Sequence, residues 1–98
     1  MARASRSKPA RLAEKLLQIR TRLELSQNGL IRRMGLEDEI MREEISTFEH
    51  GVRVPPLPIL LRYARVAGIC SDVLLDDDAE LPERLPSRPR HGSMRRPG

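Results

Sequence analysis

Aromatic residues are scarce in this chain of 98 residues, which contains one Phe, one Tyr and no Trp. Because small-molecule sites are usually lined by hydrophobic and aromatic side chains, this composition gives little support to a ligand pocket. The sequence also lacks a glycine-rich phosphate loop and any cluster of catalytic side chains. These absences argue against an enzyme, and we expect no enzymatic activity.

Cysteine is equally rare. Cys70 is the single cysteine, so it cannot form an internal disulfide, which fits a reducing compartment. We expect it to be a small buried residue rather than a redox switch. The two histidines, His50 and His91, are too far apart in sequence to build a metal-ligand cluster with it, and we expect no cofactor.

Long hydrophobic runs are also missing. No apolar stretch approaches the roughly 18 residues that a membrane span needs. The basic start is not followed by the apolar segment of a signal peptide. We therefore expect a cytoplasmic protein that is not associated with a membrane.

The net charge of +4 is unevenly distributed. Residues 1–10 carry three basic side chains and no acid, whereas residues 11–76 carry ten basic and ten acidic side chains. Residues 77–98 carry five Arg against four acids. Since the basic excess lies in the terminal segments, the high isoelectric point alone is a poor argument for nucleic-acid binding.

Composition divides the chain into three parts. Residues 1–9 are small, basic and polar, which predicts a flexible arm. Residues 78–98 are rich in proline and have little to bury, which predicts a disordered tail. Residues 10–77 form the one region with regular apolar spacing, so they are expected to be the folded domain.

Apolar periodicity in the domain predicts helices only. A first helix carries an apolar stripe, and a second helix, "QNGLIRRM", follows the N-cap residue Ser26 and ends at Gly35. A third helix runs to His50 and is closed by Gly51. The stripe of the first helix is Leu12, Leu16, Ile19 and Leu23, and the inward positions of the second are Leu30, Ile31 and Met34.

The second half of the domain continues this pattern. Consecutive prolines in "VRVPPLP" exclude a helix there. Pro58 fits the first turn of a fourth helix that ends at Gly68, and Ser71 is expected to cap a short fifth helix. No alternating β-branched run predicts a strand. The expected fold is an all-α, compact five-helix domain in which two short helices joined by a tight turn form a helix-turn-helix.

An ordered series of motifs carries a family resemblance. "SQ" at 26–27, "ISTFEHG" at 45–51, a proline after it, and "LLRYARVAGICSDVLLDD" at 60–77 resemble the Xre-like, λ-repressor-like helix-turn-helix proteins. The resemblance implies a five-helix domain that binds operator DNA, usually as a homodimer, with its third helix in the major groove. The segment from Gly35 to Gly51 is about four residues longer than this family usually allows, and "LEDE" at 36–39 looks like the insert.

The resemblance also assigns roles to single residues. It implies that Gln27 contacts phosphate and braces the third helix, and that Arg20 pairs with Glu49 to tie the first helix to the third. The alternatives are a polar residue in the first helical turn for Gln27 and two independent surface charges for Arg20 and Glu49. Ser26 is a cap on either interpretation, and at the same helix start it is also expected to belong to the DNA-binding surface.

The third helix lies in the most acidic stretch of the chain, which holds six acids between residues 35 and 51. On a helical wheel, Met41, Ile45 and Phe48 form the core stripe and Glu49 lies beside it. The positions expected to face outward are Glu43, Ser46, Thr47 and His50, flanked by Arg42 and Glu44.

These outward residues can contact base edges. Glu43 can accept from cytosine N4, Arg42 can contact guanine, and Ser46 and Thr47 can touch base edges or a thymine methyl. We expect His50 on the phosphate or solvent side. Phosphate attraction must come from Arg32, Arg33, Arg53 and the arm. The alternative for Glu43 and Glu44 is an ordinary solvated helix face.

The resulting hypothesis is a sequence-specific DNA-binding transcriptional regulator of the nucleoid, a repressor acting as a homodimer on double-stranded DNA. The rival hypothesis is a protein-interaction module. In one form it is an antitoxin whose tail, residues 77–98, wraps a toxin. In another it is a helix-turn-helix domain that uses its acidic third helix to bind a basic protein partner.

Overall fold

A computed structural model describes residues 10–85, and in this range it contains helices and no strand. The all-α prediction is therefore confirmed. The arm, residues 1–9, and the greater part of the tail, residues 86–98, lie outside the described residues. The five helices are α1 (Leu12–Arg22), α2 (Gln27–Met34), α3 (Arg42–Glu49), α4 (Leu57–Ala67) and α5 (Ser71–Leu75).

One hydrophobic core joins all five helices. Leu12, Leu16 and Ile19 of α1 are buried, as the apolar spacing predicts, and Leu23 packs against the core from its edge. The helix α1 packs on α3 and α5, and α2 packs on α3 and α4. The other helical side chains in this core are Leu30, Ile31, Met34, Ile45, Phe48, Leu60, Tyr63, Ala64, Ala67 and Leu74.

The connection between α2 and α3 is fixed at both ends. Ser26 caps α2, because its hydroxyl oxygen accepts from the Gly29 amide at 2.9 Å. Gly35 ends α2 with φ +74°, a conformation that favours glycine, and the Met34 carbonyl accepts a hydrogen bond from Arg62 of α4. Leu36 is buried directly after this turn, so the start of the connecting segment belongs to the core.

The predicted insert, residues 36–39, forms a separate turn that precedes α3. The Glu39 and Ile40 amides donate to the Leu36 carbonyl at 2.9 and 3.1 Å, and α3 begins only at Arg42. Glu37, Asp38 and Glu39 are exposed in this turn and are not part of the first turn of α3.

The later start of α3 corrects the helical wheel at Met41. Met41 was expected in the core stripe, but it is the residue before the helix, has extended backbone angles and is 69% exposed. A wheel applies only to residues inside a helix, and Ile40 packs against the core in its place.

The start of α5 corrects two further predictions. Cys70 was expected to be buried, but it is exposed and forms the N-cap position of α5. Ser71 was expected to be that cap, but it is the first helical residue. Helix boundaries shifted by one residue therefore changed both assignments.

The C-terminal segment extends the folded unit past the expected boundary at residue 77. Leu81 is buried and Leu85 packs against the core. Arg22 donates to the Pro82 carbonyl at 2.7 Å, and Arg11 pairs with Glu80 at 3.0 Å. We call residues 77–85 the strap, because they lie along α1 from its beginning to its end.

Candidate nucleic-acid interface

The outward surface of α3 presents donors and acceptors together. Arg42, Glu43 and His50 are exposed, and Ser46 and Thr47 are partly buried between them. No ion pair or hydrogen bond within the described range holds the side chains of Arg42 and Glu43. These two side chains are therefore the ones on α3 that are most available to an external partner.

Glu44 has a structural role at the start of α3. Its carboxylate accepts from the Met41 amide at 3.3 Å and lies 3.9 Å from the Arg53 guanidinium. The Arg53 guanidinium also lies 5.7 Å from the centre of the Phe48 ring, a cation–π distance. Arg53, expected to contact phosphate, is thus partly engaged by the protein, although about half of its side chain is exposed.

The side chains of Thr47 and His50 already form hydrogen bonds with backbone carbonyls of α3. The Thr47 hydroxyl donates to the Glu44 carbonyl at 2.7 Å, so its two lone pairs and its methyl group are what it can offer to a base. His50 Nδ1 lies 2.8 Å from the Ser46 carbonyl oxygen and 3.3 Å from its hydroxyl. In the tautomer that donates from Nδ1, His50 keeps Nε2 as a free acceptor.

One carboxylate, that of Glu49, connects α3 to the helices beside it. Glu49 accepts from Arg20 Nε at 2.6 Å and from Arg20 Nη2 at 3.1 Å, and only 4% of its side chain is exposed. Gln27 Nε2, at the start of α2, lies 3.4 Å from the same carboxylate. Arg20 also donates to the Leu25 carbonyl at 3.0 Å in the turn before α2. Three helices therefore meet at Glu49, and the ion pair implied by the resemblance is present.

Tyr63 lies beneath this ion pair. Its hydroxyl is buried and has no hydrogen-bond partner in the described part of the chain. Burial raises the pKa of the Tyr63 hydroxyl, and the negative charge of Glu49 raises that pKa further. Tyr63 is therefore neutral across the physiological range, and its ring packs in the hydrophobic core.

The basic residues at the end of α2 are exposed. Arg32 and Arg33 lie in its last turn, and neither side chain makes a hydrogen bond or an ion pair within residues 10–85. They are consequently available for phosphate. The Ser26 oxygen accepts the capping hydrogen bond of α2 with one lone pair, so its O–H can still donate to a phosphate oxygen.

A shallow groove joins the start of α1 to the end of α3. Its volume is about 280 Å3, and its lining residues are Ala10, Leu12, Ala13, Phe48, Gly51, Arg53 and Val54. Ala10 is the first described residue, so residues 1–9 connect to the domain at the edge of this groove. The basic arm therefore joins the domain beside the residues that follow α3.

Lys15 and Asp77 were missed by the sequence analysis. Lys15 is 1% exposed, and its ammonium group donates to the Val73 and Asp76 carbonyls at 2.7 and 2.8 Å at the end of α5. Its spacing of three from Leu12 places it next to the apolar stripe, a signal that could have marked it as buried. Asp77 accepts from two amides near residue 10, a contact that spacing cannot predict over 66 residues.

Comparison of the chain with models of known protein families, with curated proteins and with solved structures finds no match. Between residues 10 and 85, no helix is both long and apolar enough to cross a membrane. The same residues contain no group of His, Cys, Asp and Glu side chains that could hold a metal ion. The surface of α3 and its supporting contacts are therefore the basis for a functional assignment.

Proposed function

We propose that this protein is a sequence-specific regulator that binds double-stranded DNA through a λ-repressor-like helix-turn-helix formed by α2 and α3. In this proposal it is a repressor that acts as a homodimer, and each copy inserts α3 into the major groove of one half-site. The major groove admits an α-helix, and the half-sites of such dimers lie about one helical turn, roughly 34 Å, apart.

The observation that carries the proposal is the junction at Glu49. Arg20, Gln27 and Glu49 lie at the positions that the resemblance assigns to the brace of the reading helix, and their side chains meet at 2.6 to 3.4 Å. A reading helix must be held rigidly, because base contacts depend on the placement of a few side chains. A buried carboxylate bound from both α1 and α2 supplies such support.

The chemistry of the α3 surface is compatible with base reading. Arg42 offers the paired donors that suit guanine O6 and N7, and Glu43 offers an acceptor for cytosine N4. At the start of α2, the groups proposed to bind phosphate are the backbone amides and the Gln27 side chain. Arg32 and Arg33 add positive charge at the other end of α2.

The acidic stretch sets a limit on affinity rather than excluding DNA. Glu49 is buried in an ion pair and Glu44 is engaged at the start of α3, so neither presents a free charge to the groove. The exposed acids of the insert, Glu37 to Glu39, lie before α3 and repel phosphate. Non-specific binding is therefore expected to be weak, since it depends on Lys and Arg contacts.

The test is a selection of bound DNA from a random pool, followed by titrations against single-base variants of the selected site at fixed salt. Arg42→Ala is expected to lose about 1–3 kcal/mol of discrimination at one guanine position in each half-site. The control is Arg65→Ala on α4, which removes the same charge from an exposed position outside the proposed interface.

A uniform loss for all sequences in Arg42→Ala, with a shallower salt dependence, would assign Arg42 to phosphate instead of base contact. Failure to enrich any sequence from the pool would reject DNA reading. The exposed acids of residues 37–43 would then favour the interaction module, with a basic protein partner at α3 or the tail.

A further inference from the structure

Met41 is the most exposed of the large hydrophobic side chains between residues 10 and 85, at 69%. It lies directly before α3, and the two residues that follow it, Arg42 and Glu43, are exposed as well. A single exposed hydrophobic side chain is ordinary on a protein surface, so exposure alone assigns no function to Met41. Its position at the start of α3 is the second observation, and the two together point to a role.

The backbone of Met41 is fixed on both sides. Before it, Ile40 packs against the core, and the Ile40 amide donates to the Leu36 carbonyl at 3.1 Å. After it, the Met41 amide donates to the Glu44 carboxylate at 3.3 Å, and the Met41 carbonyl accepts from the Glu44 amide at 2.9 Å. The side chain of Met41 therefore extends into solvent from a defined point of the domain.

The backbone angles of Met41 explain why its side chain leaves the core. They are extended, with φ −115° and ψ 162°. Because successive side chains of an extended chain point to opposite sides, Met41 points away from the side on which Ile40 meets the core. Met41 thus belongs to the same exposed end of α3 as Arg42 and Glu43.

The chemistry of the major groove limits what Met41 can contact. In a helix-turn-helix protein, the residues at the start of the second helix are the ones that reach the base edges. Those edges present hydrogen-bond donors and acceptors and one apolar group, the C5-methyl of thymine. A thioether has no donor and is only a weak acceptor, so Met41 gains little from the polar groups. Its unbranched chain can adapt to a methyl group.

We propose that Met41 is a specificity-determining residue that contacts the C5-methyl group of a thymine in the DNA bound by α3. This inference rests on the proposed function. Consecutive Cα atoms are about 3.8 Å apart and successive bases of one strand rise by about 3.4 Å, so this thymine lies within about two base pairs of the base contacted by Arg42. Met41 thereby adds an apolar contact to the polar contacts proposed for Arg42 and Glu43.

Replacing thymine by deoxyuridine removes the methyl group and leaves base pairing unchanged, so it tests this contact directly. The experiment takes the DNA selected by the full chain, replaces its thymines one position at a time in both half-sites, and measures affinity at fixed salt. At one position we expect binding to weaken by about fourfold per half-site, the factor for burial of one methyl-sized group.

The second arm of the experiment is Met41→Ala on both kinds of DNA. This variant should bind the thymine DNA about fourfold more weakly per half-site and should distinguish thymine from deoxyuridine by less than roughly twofold. Met41→Leu keeps an apolar side chain and should retain most of the preference. A merely structural role of Met41 would instead weaken binding to both DNAs equally, and that result would overturn the proposal.

Leu61→Ala is the matched control. Leu61 is a 43% exposed side chain on α4, four residues before Arg65 and on the same face of that helix, outside the proposed interface. This variant should keep the full preference for thymine over deoxyuridine. Urea unfolding should show the same midpoint for Met41→Ala and the unaltered chain, because an exposed side chain contributes little to stability.

Thr47 is the other residue of the α3 surface that carries a methyl group. Thr47→Ser removes this methyl and keeps the hydroxyl that donates to the Glu44 carbonyl. The preference for thymine at the position proposed for Met41 should survive in Thr47→Ser. If Thr47→Ser abolishes that preference and Met41→Ala keeps it, the contact belongs to Thr47 and the role of Met41 is overturned.

The selection step separates this proposal from the proposed function. If a site is enriched and Arg42→Ala loses discrimination within it, while no deoxyuridine substitution alters affinity, the role of Met41 is rejected and the proposed function stands. The same holds if the enriched half-site contains no thymine near the base that depends on Arg42. If no sequence is enriched, the proposed function fails and the role of Met41 fails with it.

Discussion

The two faces of α1 carry the same kind of ion pair in different surroundings. On the α3 side, Arg20 and Glu49 are 2.6 Å apart, and their side chains are 19% and 4% exposed. On the strap side, Arg11 and Glu80 are 3.0 Å apart, and their side chains are 31% and 75% exposed. Both arginines make two hydrogen bonds to their carboxylates.

This difference shows that geometry alone does not decide what an ion pair contributes. A buried carboxylate that loses its partner keeps a large desolvation penalty, whereas an exposed one is solvated by water and screened by salt. The pair that supports α3 is therefore the one whose loss is costly. The pair that ties down the strap is the one that solution conditions can weaken.

Replacing the arginine of each ion pair is the strongest test of this comparison. Arg20→Met is expected to lower the free energy of unfolding by about 3 kcal/mol, because it leaves Glu49 charged and buried. Arg11→Met removes the same charge from the start of the same helix and is expected to cause a much smaller loss, which high salt reduces further. Chemical denaturation at two salt concentrations measures both effects.

A domain of this size has a total stability on the order of 5–10 kcal/mol, so Arg20→Met should remain foldable but be close to marginal. Equal losses in the two variants would contradict the assignment of different burial to the two pairs. A double variant, Arg20→Met with Glu49→Leu, should recover much of the stability, since it leaves no stranded charge.

On α3, the carboxylates of Glu43 and Glu44 can be tested by separate substitutions. If Glu43 reads cytosine, Glu43→Gln should reduce discrimination at one position of each half-site by about 1–3 kcal/mol. If Glu43 is only a solvated acid, the same change should raise affinity for all DNA alike. Glu44→Gln is the comparison, because that side chain is engaged by the Met41 amide and Arg53 and should not alter base preference.

Titration against single-base variants of the selected DNA distinguishes these outcomes. If neither Glu43→Gln nor Arg42→Ala alters affinity or preference, α3 is not the reading element. The acidic stretch would then be better explained as a face that binds protein.

The α3 side of α1 was largely predictable from the sequence, since its signals are local or tied to fixed spacings. The apolar stripe Leu12, Leu16 and Ile19 has helical periodicity, and Ser26 and Gly35 are residue types suited to the ends of a helix. Arg20 and Glu49 were paired through the resemblance alone. Nothing in their spacing of 29 residues indicates contact.

The strap side was not predictable, because its contacts join residues 58 to 69 positions apart. The strap is rich in acids and has few apolar residues, a composition that predicts disorder, yet one buried leucine, Leu81, and two arginine contacts hold it on α1. Single-residue errors at helix starts, such as Met41 and Cys70, have a different cause. Sequence patterns locate helices better than they locate helix ends.

Tyr63 offers a smaller test of the α3 side. Its hydroxyl is buried near Arg20 and Glu49 without a protein partner in residues 10–85, and an unsatisfied buried hydroxyl costs free energy. We expect Tyr63→Phe to raise the free energy of unfolding by about 1 kcal/mol, since it removes the polar group and keeps the ring. Thermal and urea unfolding measure the change. A loss of stability would instead show that the hydroxyl has a hydrogen-bond partner, such as a bound water.

The smallest effect is expected on the strap side as the pH falls. Hydrogen bonds from the Ala10 and Arg11 amides lower the pKa of Asp77, and the hydrogen bonds from Arg11 lower that of Glu80. A carboxylate whose pKa is lower in the folded state stabilises the fold above its unfolded pKa, and this contribution is lost as the pH falls through the folded pKa. The melting temperature should therefore fall as the pH decreases below about 4, near the unfolded pKa of these side chains.

In the variant Asp77→Asn with Glu80→Gln, the fall should be shallower, and the melting temperature of this variant should approach that of the unaltered chain at the lowest pH. Glu83→Gln, a change in the same segment at a side chain without these contacts, should follow the unaltered chain throughout. A double variant with the same acid dependence as the unaltered chain would show that the strap is held by Leu81 and its backbone contacts rather than by its carboxylates.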